Sequence, residues 1–180
     1  MSYTARPGFD AALAHQNFLL MLLAAVSART PEAQIERLRA DPEGMTSRGM
    51  LMEHRIWLRH NEARAQMKLA WIKFFEDYDV LISPVASTAA VPHDHSGTME
   101  TRKIIVNGEE IITGRQTFWA GYSGNFGLPS TAAPLGVTAA GLPYGMQIIG
   151  APFADYTTIG VAALLEQHWL GFIPPPLYGA

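Results

Sequence analysis

Eight serines and three lysines are the side chains of this 180-residue chain that suit nucleophilic hydrolysis, and there is no cysteine. The missing cysteine excludes a thiolate nucleophile, thiolate metal sites and a disulfide framework, and points to a cytoplasmic protein. A serine nucleophile needs a base within hydrogen-bond reach and donors for the oxyanion. Ser2, Ser27, Ser47, Ser83, Ser87, Ser96, Ser123 and Ser130 include no adjacent pair. Lys68 and Lys73 fall on a long helical pattern, and Lys103 opens a hairpin pattern. The residues themselves therefore assign no catalytic group. His93, Asp94 and His95 are of the types that bind zinc, but they are consecutive in a loop, so they read as solvated residues and no metal is expected. His54 and His60 read as surface groups. Gln147 lies inside an apolar strand pattern, where a buried amide must be hydrogen-bonded. It reads as a clamp on a neighbouring backbone, with substrate contact as the alternative, and Gly145 beside it permits close backbone approach. Tyr122, Ser123 and Asn125 offer hydrogen bonds either to a ligand or to their own Gly-rich turn.

The elements that must position these groups can be read from the pattern. Phe18–Val26 reads FLLMLLAAV, long enough for a secretory h-region. Only Arg6 precedes it, offset by Asp10, and His15-Gln16-Asn17 interrupt, so a largely covered helix from about Asp10 to Ala28 is expected. Thr30 and Pro31 read as N-cap and first helical residue of a short helix to Ala40. From Thr46 to about Asp77, Trp57, Ala63, Met67, Ala70, Trp71, Phe74 and Phe75 recur at helical spacing, with Gly49 a point of interruption. Val80–Ser83 reads as a buried strand. Lys103–Val106, Asn107-Gly108 and Glu109–Ile112 read as a hairpin with a type I′ turn. A helix over Gly114–Ser123, strands over Thr131–Leu135 and Tyr144–Ile149, and a last helix from a capping Asp155 to about Trp169 follow. Gly171 and the prolines at 174–176 end it.

Charge is distributed unevenly. Residues 1–80 hold ten acids and ten bases, whereas residues 81–180 hold six and three. From Gln116 to Ala154 there is no Asp, Glu, Lys, Arg or His. Charged groups are seldom buried unless paired, so this run is expected to be mostly buried, with the strands at 131–135 and 145–149 central. A net charge of −3 gives no electrostatic footprint for nucleic acid. Gly and Pro break every apolar stretch before the ~20 residues of a membrane span, so no membrane partner is expected.

Residues 125–150 read Asn-Phe-Gly-Leu-Pro-Ser-Thr-Ala-Ala-Pro-Leu-Gly, a short turn, then Gly-Leu-Pro-Tyr-Gly-Met-Gln-Ile-Ile-Gly. This resembles the C-terminal part of amidase signature family enzymes. There, one Gly-Leu-Pro leads into a strand ending Pro-x-Gly and a second leads into Gly-x-Gln-x-x-Gly. Tyr78–Pro84 resembles the family's Asp-x-Leu-Ile-x-Pro strand, and Asp155–Glu166 its closing helix. The resemblance implies an α/β fold, the amidase signature fold. Here that means the C-terminal portion of a mixed β-sheet core flanked by helices. It spans 1–180 as a single partial domain, helical over 1–78, with strands, loops and the closing helix over 79–180.

The family hydrolyses carboxylic amides or transfers ammonia from them, which implies a serine nucleophile, a second serine and a lysine carried in a Gly/Ser-rich loop. That loop is not recognisable here. The chain therefore reads as the C-terminal portion of a serine-dependent amidase, supplying sheet closure and substrate-pocket walls. The alternative is a non-catalytic binding or assembly module. The resemblance places Thr117, Phe118 and Trp119 at the acyl side of the pocket, as substrate-binding residues. For the two aromatics the competing reading is a place in the core. An acidic residue stands near position 117 in the branch that takes ammonia from glutamine. Thr117 in its place implies an uncharged small-molecule amide. No cofactor is implied. Open strand edges and an uncovered sheet face lead to the expectation that the isolated chain self-associates.

Overall fold

Asp10 starts the first helix. Its carboxylate accepts from the backbone N–H groups of Ala12 (2.8 Å) and Leu13 (3.3 Å), satisfying two donors that a helix start leaves open. In this computed structural model, which describes residues 2 and 4–174, α1 runs over Ala11–Ser27. The next helix, α2, is Glu32–Arg39 with Pro31 at its N-cap position. Thr30 does not cap it, because the Thr30 hydroxyl donates to the Val26 carbonyl at the end of α1. The expected helix over 46–77 is two helices, α3 (Met45–Met50) and α4 (His54–Asp77). The break falls at residues 51–53, just after Gly49.

The strands are β1 (Val80–Pro84), β2 (Lys103–Val106), β3 (Glu109–Ile112), β4 (Ser130–Val137) and β5 (Pro143–Gly150). Between β3 and β4 a 3-10 turn (Thr113–Gln116) leads into α5 (Thr117–Gly124). The last helix, α6, is Asp155–His168. Asp155 is its first residue rather than its cap, which is Ala154. Pro175 and Pro176, read above as part of its stop, lie outside the described residues. The helices and sheets make an α/β chain, as expected, although every strand pairing among the described residues is antiparallel. One sheet has the order β1-β5-β4, and β2 and β3 form a separate hairpin. Asn107 (φ 52°) and Gly108 (φ 85°) supply its turn.

The chain divides into two compact units, Met1–Phe74 with Gly124–Phe126, and Phe75–Ser123 with Gly127–Ala180. In the first, Trp71 is fully buried, edge-on to Phe74 at 5.7 Å and tilted against Phe9 and Phe126. Asn17 donates to the His60 carbonyl and accepts from Asn125, so a buried amide pair joins three separate stretches of sequence. In the second unit, Ala133, Met146 and Ile148 share a sheet face with Val80 and pack against Val161, Ala162 and Leu165 of α6. Thr158 of α6 bonds Thr131 of β4 through their hydroxyls at 2.8 Å.

The charge-free run is only partly buried. Residues 121–123, 125–126, 128, 133 and 146–150 are buried, while most of β4 and the turn at 139–144 are exposed. Only β5 is central. β4 is an edge strand, so Ser130, Ala132, Pro134, Leu135 and Val137 lack cover, and the run stays uncharged there without being buried.

Gly49 sits where α3 crosses α1, and a Cβ there would run into the Leu23 side chain. Alanine normally stabilises a helix over glycine by about 1 kcal/mol. Here Gly49→Ala is expected to lower stability by about 1–3 kcal/mol through overpacking. Leu23→Ala in the same chain should relieve part of that loss. Urea denaturation of the single and double variants checks the sign.

Candidate active-site wall

The second sheet face, opposite α6, carries Ser83 and Gln147 as cross-strand partners, with Ser130 and Ile149 paired one step along. Gln147 is the centre of it. Its Nε2 donates to the Pro84 carbonyl (3.1 Å) and to the Trp119 carbonyl (2.9 Å), and its Oε1 accepts from the Ser130 hydroxyl (3.2 Å). The clamp reading of this residue therefore describes the geometry, since both amide hydrogens go to backbone. Gly145, on the same strand, allows the approach: a Cβ there would lie 2.9 Å from the Ala133 carbonyl oxygen.

Of the three residues placed at the acyl pocket, all lie on the first turn of α5. The Thr117 hydroxyl donates to the Gly114 carbonyl at 2.7 Å, tying the helix start to the 3-10 turn before it. Phe118 and Trp119 are half-buried and meet edge-to-face at 4.9 Å. Phe118 also stacks on Tyr122 at 5.8 Å. The structure brings Trp119 and Gln147 together through the Trp119 carbonyl, leaving the indole ring out of that bond.

The residues read as possible ligand contacts in the Gly-rich turn are placed differently. Ser123 and Tyr122 are buried, and Asn125 donates to Asn17 and to the Ala14 carbonyl within the first unit. One positioning residue has no signal in the sequence. Gln116 accepts from the Ser87 N–H (2.7 Å) and donates to the Thr88 hydroxyl (3.0 Å), fastening the loop after β1 to the start of α5. It stands at the edge of an uncharged run with no periodic pattern around it.

The arrangement offers hydrogen bonds and aromatic surface. Ser83 is buried and its hydroxyl lies 3.4 Å from the adjacent Pro84 carbonyl. Lys103 pairs with Glu110 at 2.9 Å across the hairpin. That hydrogen bond, with the charge behind it, raises the lysine pKa, the opposite of what a proton-accepting amine needs. In the His93–His95 loop, Asp94 accepts from the Ser96 N–H at 2.8 Å. Hydrogen bonding from Ser96, aided by the Arg102 charge, lowers its pKa. Among the described residues, no group of three metal-ligating side chains comes together.

Gln147→Leu removes three hydrogen bonds while keeping volume. With net contributions of about 1 kcal/mol each, it is expected to destabilise by about 2–4 kcal/mol, and Ser130→Ala by about 1 kcal/mol. Chemical denaturation measures both. Amide exchange should show α5 losing protection in Gln147→Leu and keeping it in Ser130→Ala.

A family model described as Amidase matches residues 8–159. A glutamyl-tRNA(Gln) amidotransferase protein from Methylocella silvestris is 28% identical over 125 residues, covering 69% of this chain and 24% of the relative. Human fatty-acid amide hydrolase 2 is 46% identical over 57 residues, covering 30% of this chain and 11% of the relative. The chain thus spans a quarter or less of these relatives' own length. The fold matches a bacterial aryl acylamidase with a TM-score of 0.67 at 22% identity, over 91% of this chain and 35% of that one. The family model spans most of the chain, including the Gly-Leu-Pro pair and the strand that carries Gln147. The chain belongs to the amidase signature family.

Proposed function

We propose that this chain is the C-terminal portion of a serine-dependent amidase, closing the sheet and walling the substrate pocket during hydrolysis of a carboxamide C–N bond. The observation that carries the reading is the Gln147 clamp. It fixes α5 by its Trp119 carbonyl against a sheet face whose polar groups are uncharged. An acyl group lying along Phe118 and Trp119 would meet aromatic surface without a charge to desolvate, which favours an apolar acyl chain or ring. In amide hydrolysis a hydroxyl oxygen adds to the carbonyl carbon, the C–N bond breaks, and the leaving nitrogen takes a proton. This chain's share of that sequence is orientation of the acyl group. Thr117, turned to the Gly114 carbonyl, sets the helix that presents the aromatics and carries no charge to hold an α-amino group.

A second reading, a binding or assembly module with no hydrolysis of its own, is favoured by where these groups lie. Lys103 is paired with Glu110 across the hairpin, and Ser83 and Ser123 are buried.

Purified chain is expected to turn over no aryl or alkyl amide above background and to take no label from a serine-directed fluorophosphonate. An aryl amide should still perturb indole fluorescence, and Trp119→Phe should abolish that change. Stoichiometric labelling of a serine would overturn the wall-only role. A fluorescence change that survives Trp119→Phe would move the pocket elsewhere.

A further inference from the structure

The outer face of α6 is apolar and open. Phe153 is 97% exposed and Tyr156 90%, with Ile159 at 54% and Leu164 at 57%. Thr158, Val161, Ala162 and Leu165 face the sheet, so Tyr156, Ile159 and Leu164 turn away from it, and Phe153 stands exposed in the turn just before the helix. Phe153 also holds a positive φ of 65°, a conformation in which a bulky residue is a genuine outlier. The fold thus keeps an aromatic ring in water on a strained backbone. Strain of this kind persists where the surroundings enforce it and clusters at sites that act.

We propose that a second copy of this chain docks on this face, with the two α6 helices antiparallel about a two-fold axis. Three features fit a self-pairing surface. Tyr156, Gly160, Ala163 and Gln167 form one line along the helix at spacings of four, three and four. That line is symmetric about the helix midpoint and carries no charge. In an antiparallel pair, Gly160 lies against Ala163 of the second copy and Tyr156 against its Gln167, which is the reciprocity an isologous contact requires. Gly160 has open space where a Cβ would be, so the two backbones can approach closely and their helix dipoles oppose. Area is the third feature. Tyr156 and the adjoining Phe153, at roughly 150–250 Å² for each large aromatic, together with the half-open Ile159 and Leu164, offer on the order of 600 Å² per copy. This approaches the ~800 Å² per partner of a standard interface and is near the upper bound of patches that monomers leave open.

The strand edges, where self-association was expected from the sequence, are poor candidates. β4 carries Pro134 and a register shift between Pro134 and Gly136, and β1 ends in Pro84. Proline and irregular register both blunt an edge. This contact goes beyond the amidase reading and does not depend on any amide being bound.

Sedimentation equilibrium of the full chain at tens of micromolar tests it. The chain is expected to be dimeric. Gly160→Glu fills open space with a better helix former, so it should fold at least as well as the parent by thermal melting while raising the dimer dissociation constant about tenfold or more. Ala163→Lys should do the same alone. An equimolar mixture of the two variants should dimerise again, because the new carboxylate meets the new ammonium across the axis. A parent chain that stays monomeric overturns the proposal and assigns the face to a different polypeptide. A Gly160→Glu chain that dimerises like the parent overturns it equally, and moves the contact to another surface.

Discussion

One side-chain amide holds the site together. Gln147 lies on the central strand of a three-stranded sheet, with a neighbour on either side, and its hydrogens go to the carbonyls of Pro84 and Trp119. Those carbonyls belong to the end of one edge strand and to a helix 28 residues away in sequence from Gln147. A hydrogen bond from Ser130 on the other edge strand completes the set. A buried amide left without partners is costly, so the strand order and the seating of α5 are mutually enforcing. If α5 drifts, the amide loses a partner. If a strand slips by one residue, Gln147 changes face altogether.

The opposite face of the same sheet is held by different physics. There Ala133, Met146 and Ile148 meet α6 through apolar packing, and a single pair of hydroxyls, Thr131 and Thr158, sets the helix along the strand. The polar face orders and the apolar face supplies most of the burial. Both faces do without charge. This is why a run of 39 residues lacking any ionisable Asp, Glu, Lys, Arg or His can form the proposed wall without carrying a field that would select against neutral ligands.

Much of this was legible in the sequence because the signals were local. Asn107-Gly108 between two β-branched runs fixed the hairpin to the residue, and the Gly-Leu-Pro pairs framed β4 and β5. Gln147 stood out as a polar residue in an apolar strand, and a backbone clamp is what it makes. The misread features depend on distant neighbours. The break between α3 and α4 comes where Gly49 crosses α1 at Leu23, a contact 26 positions apart in sequence that no periodicity records. Thr30 has the composition of a cap but finds the Val26 carbonyl closer to hand. The exposure of β4 follows from its place at the sheet edge, and strand order is not written in the strand itself. Gln116 fastens the loop at Ser87 and Thr88 from a position where nothing in the surrounding pattern marks an amide as special.

The hairpin turn has a consequence for the lifetime of the molecule. Asn107 and Gly108 are both exposed, and the glycine leaves its backbone nitrogen unshielded by any side chain. An asparagine followed by glycine is the sequence most prone to cyclise onto that nitrogen and open again as aspartate or isoaspartate, with loss of ammonia. The choice of residues that makes the turn easy to form therefore also makes it a chemical clock. Each event leaves the chain one charge more negative than its initial −3, next to Glu109 and Glu110. Where isoaspartate forms, an extra methylene lengthens a two-residue connection. Ageing of this protein would begin at the hairpin tip and leave the Gln147 amide, buried and bonded, untouched.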